Sequence, residues 1–271
     1  MTVLRTVTCF QRESLRLSSI LESIMTAALQ QLNDNLILVG GVSGGGKSAS
    51  LRNMRDQEGV LYLNCEAGKK LPFRNKFKSI TITRPEQIIE GFNWAETQEG
   101  IHTIVIDTVS FLMDMFVSVN IMGSADTRSQ WQAYSEYFKN LMQQHVAKSS
   151  KNVIMLTHVA EDVDEDKGIR VEQAVVKGGL AKTGIEAFFS LNVTARAVPV
   201  KELDKYPSEY LNITEEERDV GYKHVFQVRK TKETTGSRIR GPMGLFPPST
   251  VYIDNDTQLL LDVVHEFYKE D

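Results

Sequence analysis

The clearest chemical signal in the sequence is a loop suited to binding phosphate. The stretch GGVSGGGKSAS matches the spacing G-x-x-x-x-G-K-[ST], between an apolar run and a segment of helix-forming composition. Glycines let backbone N–H groups approach an anion closely, the lysine supplies a positive charge, and the serine hydroxyl suits magnesium. The pattern therefore predicts a nucleotide-binding loop. The residues predicted to surround the phosphates are Gly41, Val42, Ser43, Gly44, Gly45, Gly46, Lys47, Ser48 and Ala49.

A carboxylate ends an apolar run further along the chain, in the sequence HTIVIDT. An aspartate at the end of a buried strand, opposite a phosphate loop, can support magnesium. We therefore predict that Asp107 and Ser48 form a metal site. The alternative is an aspartate that is solvated or caps a helix. Because Thr108, and not an acid, follows Asp107, a catalytic base must come from elsewhere.

Two further polar residues end apolar runs. Glu66 ends the stretch VLYLNCE after the phosphate loop, and a carboxylate there can orient a water for attack on a γ-phosphate. His158 ends the stretch NVIMLTH, where a polar side chain can sense that phosphate. The alternatives are a surface or helix-capping glutamate and a purely structural histidine.

Composition narrows the class of protein. The 271 residues are 41% hydrophobic, enough for one large α/β core. No apolar stretch is long enough to cross a bilayer and no signal core is visible, so we expect a cytoplasmic protein without a membrane partner. Cys9 and Cys65 belong to no Cys/His cluster, which argues against a zinc site. The net charge of -4 neither supports nor excludes nucleic acid.

Strand-like and helix-like stretches alternate, which predicts a mostly parallel sheet covered by helices. The predicted strands lie near 36–40, 59–64, 79–82, 102–107, 152–157, 187–195 and 223–230. The predicted helices lie at 13–32, 47–56, 85–96, 128–147 and 256–268. The segment 160–182 lacks steady apolar periodicity and contains three glycines, so we expect a long mobile loop there.

The motifs GVSGGGKS, VLYLNCE, HTIVIDTVSFL and NVIMLTHV, in this order, resemble the RecA-type ATPase core. The resemblance covers about residues 34–254 and is nearest to the short RecA-like proteins of bacteriophages, the Sak-four type of single-strand annealing ATPase. It implies an α/β fold with a mostly parallel sheet flanked by helices and a C-terminal antiparallel hairpin. Residues 34–271 would form this RecA-like ATPase core. Residues 1–33 would form an N-terminal strand and helix for oligomerisation, in which Thr6–Phe10 could add as a strand to a neighbour.

The resemblance also implies roles for individual residues. Lys47 and Ser48 would bind phosphates and Mg²⁺, Asp107 would support the metal, and Glu66 would activate water. His158 stands where RecA has a glutamine, a departure shared with hexameric replicative helicases.

Two basic regions receive roles from the same resemblance. The DNA-binding loop would be 160–182, through Arg170, Lys177 and Lys182, although its start is acidic and it contains no stacking aromatic. Lys230 and Lys232 match a lysine pair that reaches the neighbouring subunit's γ-phosphate. The alternatives are a solvated loop and a basic hairpin.

The function that the resemblance implies is a magnesium-dependent ATPase that acts on single-stranded DNA in recombination or annealing. It would use ATP and Mg²⁺, assemble into a ring or filament, and admit a single-strand binding protein as a further partner in the host cytoplasm. Three alternatives stay open: a helicase-like or clock-protein-like motor, a phosphotransferase, and a nucleotide-gated binding module.

Overall fold

The computed structural model describes residues 33, 35–167 and 169–269. The helix predicted over 13–32, the strand-adding segment Thr6–Phe10 and nearly all of the predicted N-terminal segment lie outside these residues. Within the described ranges, no helix combines the length and apolar composition needed to span a membrane.

The described residues form ten strands around one central sheet. Their bounds are β1 Leu36–Gly41, β2 Val60–Asn64, β3 Lys78–Thr81, β4 Thr103–Asp107, β5 Asn152–Asp164, β6 Ile169–Ala174, β7 Leu191–Pro199, β8 Tyr222–Gln227, β9 Gly236–Ser237 and β10 Tyr252–Asp254. The order of eight strands across the sheet is β10-β8-β7-β1-β5-β4-β2-β3. Outside this order, β6 pairs with β5 and β9 pairs with β6. Strands β3, β2, β4, β5, β1 and β7 run parallel to one another, whereas β8 runs antiparallel to β7, and β10 to β8. This arrangement confirms the predicted mostly parallel α/β sheet with C-terminal antiparallel strands.

Strand β1 carries no polar side chain because hydrophobic clusters cover both faces of the sheet. In β1, Leu36 and Leu38 pack into one hydrophobic cluster, while Ile37 and Val39 pack into a second cluster on the opposite face. Alternate residues of a strand point to opposite faces, so a strand buried on both sides needs apolar residues at every position. Burying each such side chain contributes about 1.5–3 kcal/mol. This gain favours apolar residues at buried positions, so the apolar runs of the sequence indicate where these strands lie.

Seven α-helices are found in the described residues. They are α1 Glu86–Glu96, α2 Val109–Phe116, α3 Thr127–Asn140, α4 Gly178–Thr183, α5 Val200–Leu203, α6 Glu215–Val220 and α7 Thr257–Phe267. Single π-helical segments, Val117–Ile121 and Leu141–Val146, follow α2 and α3. Three short 3-10 helices lie at Ser48–Asn53, Gln57–Gly59 and Ile185–Phe188.

One predicted helix differs from the structure, and four helices were not predicted: α2, α4, α5 and α6. The helix predicted over 47–56 is a 3-10 helix limited to Ser48–Asn53, where the Ser50 hydroxyl contacts the Lys47 carbonyl oxygen at 2.6 Å and Thr257 Oγ1 at 2.7 Å. Serine and asparagine are weak helix formers, and the Ser50 contact with Thr257 ties this segment to α7, so packing contributes to the local geometry. Helix α2 was not predicted, although the side chain of Thr108 caps its first turn.

The prediction of a long mobile loop over 160–182 was wrong. Strand β5 continues to Asp164 and pairs with β6 as an antiparallel hairpin, and α4 follows. Glu172 is buried there in an ion pair with Arg196 of β7, and the Ser237 hydroxyl donates to its second oxygen at 2.8 Å. Of the residues of β6 only Glu172 and Ala174 are buried, and Glu172 is buried against a charged partner, so the strand shows no apolar periodicity.

The strand predicted over 187–195 occupies Leu191–Pro199 instead. Residues Ile185–Phe188 form a 3-10 helix, and the strand begins only where pairing with β1 starts, at Leu191 opposite Ile37. The boundary therefore follows the register of the sheet and not the local composition.

Candidate active site

The carboxyl ends of four parallel strands meet at one edge of the sheet. The phosphate loop follows β1, Glu66 comes two residues after β2, Asp107 ends β4, and His158 lies within β5 opposite Gly41. Asn64, the last residue of β2, lies opposite Asp107. These strands surround a pocket of about 690 Å³ lined by Lys47, Ser48, Glu66, Asp107 and His158. Carboxyl edges of parallel sheets are the usual ligand sites of α/β folds.

Lys47 is held in place by the loop that contains it. Its Nζ donates to the carbonyl oxygens of Gly41 at 2.8 Å and Val42 at 2.9 Å. Burial lowers the pKa of Lys47 to about 8, although the negative charges of Asp107 and Glu66 act in the opposite direction. Gly46 has φ +99°, and a side chain there would meet His224 and Asn255, so glycine is required at this turn.

Asp107 is the most deeply buried acid of the pocket, with 1% of its surface exposed. Its Oδ2 accepts from the hydroxyl of Ser48 at 2.8 Å and from that of Tyr62 at 2.7 Å. Burial raises the pKa of Asp107, while the Tyr62 and Ser48 hydrogen bonds partly offset this rise. Burial also raises the pKa of Tyr62, as does the neighbouring Asp107 charge, so its hydroxyl remains a donor.

The residues at this position fit magnesium. Asp107 Oδ1 is buried without a hydrogen-bond partner among the described residues. An unpartnered buried carboxylate oxygen is costly unless a cation or its bound water satisfies it. Ser48 and Asp107 supply the hard oxygen ligands that magnesium prefers, and it takes few protein ligands besides phosphate oxygens. The structure thus brings together the two residues of the predicted metal site.

Glu66 and His158 both line the pocket and contact each other. His158 Nε2 lies 3.3 Å from Glu66 Oε1, and Lys69 Nζ donates to Glu66 Oε2 at 2.8 Å. Burial alone would raise the pKa of Glu66, but the bonds from Lys69 and His158 outweigh it and lower the pKa. Glu66 is therefore ionised at neutral pH and able to accept a proton.

His158 contacts both Lys47 and Glu66. Burial and the Lys47 charge lower its pKa, so the imidazole is neutral at pH 7. Its Nδ1 lies 3.4 Å from Lys47 Nζ, which can only donate. Nδ1 is then the acceptor, and Nε2 carries the proton that faces Glu66. The ring of Phe111 packs edge-on against the imidazole with centroids 5.6 Å apart, and the His158 backbone N–H donates to Ser110 Oγ.

The remaining wall of the pocket consists of residues that the sequence did not indicate. Leu71 and Pro72 contribute apolar surface from the segment after Glu66, and Val220 and Tyr222 contribute it from the segment around β8. Charged residues line the pocket beside them: Arg52, Lys70, Glu216, Glu217 and Lys223. These residues come from distant parts of the chain and carry no shared motif. Tyr62 was also missed, since it occupies an ordinary strand position.

The residues predicted to bind DNA lie outside this pocket lining. Lys177 precedes α4 and its ammonium forms an ion pair with Asp114 at 2.7 Å. Lys182 is exposed on α4, and Arg170 is exposed on β6. Arg170 lies on the hairpin, Lys182 on α4, and Lys177 on the segment that joins them. Their role in DNA binding stays a prediction.

Lys230 and Lys232 lie in the turn between β8 and β9. Both are exposed, and Lys230 Nζ donates weakly to the carbonyl oxygen of Thr235 at 3.4 Å. Neither lysine lines the pocket of its own chain. A role in a neighbouring subunit's site also stays a prediction.

The model of the family described as AAA domain, AAA_24, matches residues 33–236, which include the phosphate loop, Glu66, Asp107 and His158. No curated protein matches the chain.

Proposed function

Because this chain belongs to the AAA domain family, and is thus a P-loop NTPase, we propose that it is a magnesium-dependent ATPase whose catalytic base is Glu66. The observation that carries the proposal is the convergence of Lys47, Asp107, Glu66 and His158 on one pocket. Each comes from a different strand or loop, and together they supply the positive charge, metal support and base that phosphoryl transfer to water requires.

Each residue has a task that its position permits. Lys47 and the backbone N–H groups of its loop bind the phosphates, and Ser48 and Asp107 would hold magnesium. Bound magnesium would neutralise charge on the phosphates during transfer. Glu66 orients the attacking water and accepts its proton, and His158 holds the Glu66 carboxylate through its Nε2 proton.

The apolar wall of the pocket suits the nucleoside. Leu71, Pro72, Val220 and Tyr222 line the same pocket as the phosphate loop. Nucleoside bases bind to apolar and aromatic surface with few polar contacts. We assign this wall to the adenine ring of ATP.

The proposed partner is single-stranded DNA, in RecA-like recombination or annealing, with assembly into a ring or filament. Support comes from the motif order and from exposed lysines on the elements that follow His158. A change at His158 can reach that region, since its carbonyl oxygen accepts from the Val175 backbone N–H of the segment before Lys177 at 2.8 Å.

Phosphate release from Mg·ATP, measured with and without single-stranded DNA, tests this proposal. We expect hydrolysis that single strands stimulate. Glu66→Gln should retain nucleotide binding and lose roughly a hundredfold or more of the hydrolysis rate, because the amide cannot accept the proton. Glu90→Gln, which makes the same change at an exposed position of α1, is the matched control. Hydrolysis at the wild-type rate in Glu66→Gln would refute the role of Glu66. Hydrolysis unaffected by single strands would refute the DNA partner and favour a motor of another kind.

A further inference from the structure

The segment that follows Glu66 folds back so that Lys69 reaches the glutamate. The Lys69 backbone N–H donates to the Glu66 carbonyl oxygen at 3.0 Å, and the two residues between them are left-handed, with φ 52° at Ala67 and φ 77° at Gly68. A left-handed alanine is unfavourable unless the surroundings impose it. The turn is therefore held by contacts outside itself.

Asn64 supplies those contacts at both ends of the turn. Its Oδ1 accepts from the Glu66 backbone N–H at 2.9 Å, and its Nδ2 donates to the Lys69 carbonyl oxygen at 2.8 Å. Because Asn64 is buried as the last residue of β2, it anchors the turn to the sheet. The turn thus fixes the backbone of Lys69 beside the catalytic carboxylate.

The Lys69 side chain is paired with Glu66 but is not confined. The Lys69 side chain is 68% exposed, whereas that of Glu66 is 10% exposed. Because the Lys69 ammonium reaches solvent, water or another anion can replace Glu66 as its partner at little cost. Both residues line the pocket that contains Lys47.

We propose that Lys69 binds the γ-phosphate of ATP and thereby lets the site distinguish ATP from ADP. This inference rests on the proposed ATPase function and adds a residue to it. When ATP is bound, Lys69 exchanges its ion pair with Glu66 for one with the γ-phosphate. Oε2 of Glu66 is then free to orient water. ADP has no γ-phosphate, so the pair with Glu66 persists.

The difference between nucleotides provides a test that does not depend on turnover. Affinities for Mg·ADP and for the non-hydrolysable analogue Mg·AMP-PNP are measured by titration calorimetry in the wild type and in Lys69→Met. We expect the variant to lose about tenfold in affinity for AMP-PNP, because a charge-assisted hydrogen bond is removed. Its affinity for ADP should stay within about twofold of wild type, since ADP lacks the γ-phosphate that Lys69 would bind.

Two further variants complete the design. Lys69→Arg keeps the charge and should retain the preference for AMP-PNP. Lys76→Met removes an exposed lysine that faces Glu58 at 3.5 Å outside the pocket lining, and should affect neither affinity. ADP binding also reports whether each variant is folded.

Equal losses for both nucleotides in Lys69→Met, or no loss for either, would overturn the proposal for Lys69. A wild-type chain that binds neither nucleotide would instead refute the ATPase function itself, before any variant is compared.

Discussion

Replacing Tyr62 by phenylalanine should weaken both the fold and the metal site. The hydroxyl donates to the buried Asp107 Oδ2 at 2.7 Å, and Asp107 Oδ1 has no partner among the described residues. A hydrogen bond to a charged group contributes about 1.5–3 kcal/mol. Removing this bond leaves Ser48 as the remaining donor to Asp107. We expect a loss of that size in unfolding free energy, with about 2–4 °C of melting temperature for each kcal/mol.

The loss should depend on pH with a definite sign. Burial already raises the pKa of Asp107, and removing the Tyr62 donor raises it further because the ionised form loses a hydrogen bond. The folded variant therefore favours the protonated acid more than the wild type does. The destabilisation is then complete well above the folded pKa of Asp107 and shrinks as the pH falls through it.

Thermal unfolding at several pH values and titration with Mg·ADP measure the two effects. Tyr252→Phe is the matched control, since Tyr252 is also buried and its hydroxyl lies 3.0 Å from Oε1 of the half-buried Glu202. Water can reach Glu202, so the control should lose at most about 1 kcal/mol and keep its nucleotide affinity. Equal stability losses in both variants, with Mg·ADP affinity unchanged in Tyr62→Phe, would refute the assigned role of Tyr62.

The other predictions concern the lysines. Lys47→Ala should abolish nucleotide binding without unfolding the chain, as titration and circular dichroism would show. In the wild type, burial lowers the Lys47 pKa to about 8 and phosphate binding raises it, so affinity should be constant below pH 8 and fall above it; affinity that rises with pH would contradict this. Lys232→Ala should keep nucleotide affinity and lose hydrolysis, and mixing it with Glu66→Gln should restore some activity if the lysine acts on a neighbouring subunit. A mixture no faster than the mean of the separate variants would exclude that role.

Local spacing was sufficient for the phosphate loop. The arrangement from Gly41 to Ser48 depends on residues close together in the chain. Its order of glycines, lysine and serine is specific for a phosphate-binding loop. The apolar strands were equally predictable, because a strand covered on both faces needs apolar residues throughout. Asp107 and Glu66 could then be found from their places at or just after the ends of such strands, and His158 from its place at the end of an apolar run.

Residues that take their function from a distant partner could not be found in this way. Tyr62 was invisible because an aromatic residue in a strand is common, and only the register of β2 beside β4 places its hydroxyl on Asp107. No sequence motif indicates Lys69 either, because its contact with Glu66 depends on the left-handed turn that Asn64 holds.

Local patterns are sufficient to predict the mostly parallel α/β core, the phosphate loop and the polar residues around the carboxyl edge of the sheet. Tertiary structure alone decided that 160–182 contains a hairpin, because the charge of Glu172 is buried against Arg196, far along the chain. It alone also decided which hydroxyl, imidazole and ammonium contact each carboxylate of the pocket. Hydrogen bonds and ion pairs require particular atoms to lie within about 3 Å, and strand register, which no local pattern specifies, sets those distances.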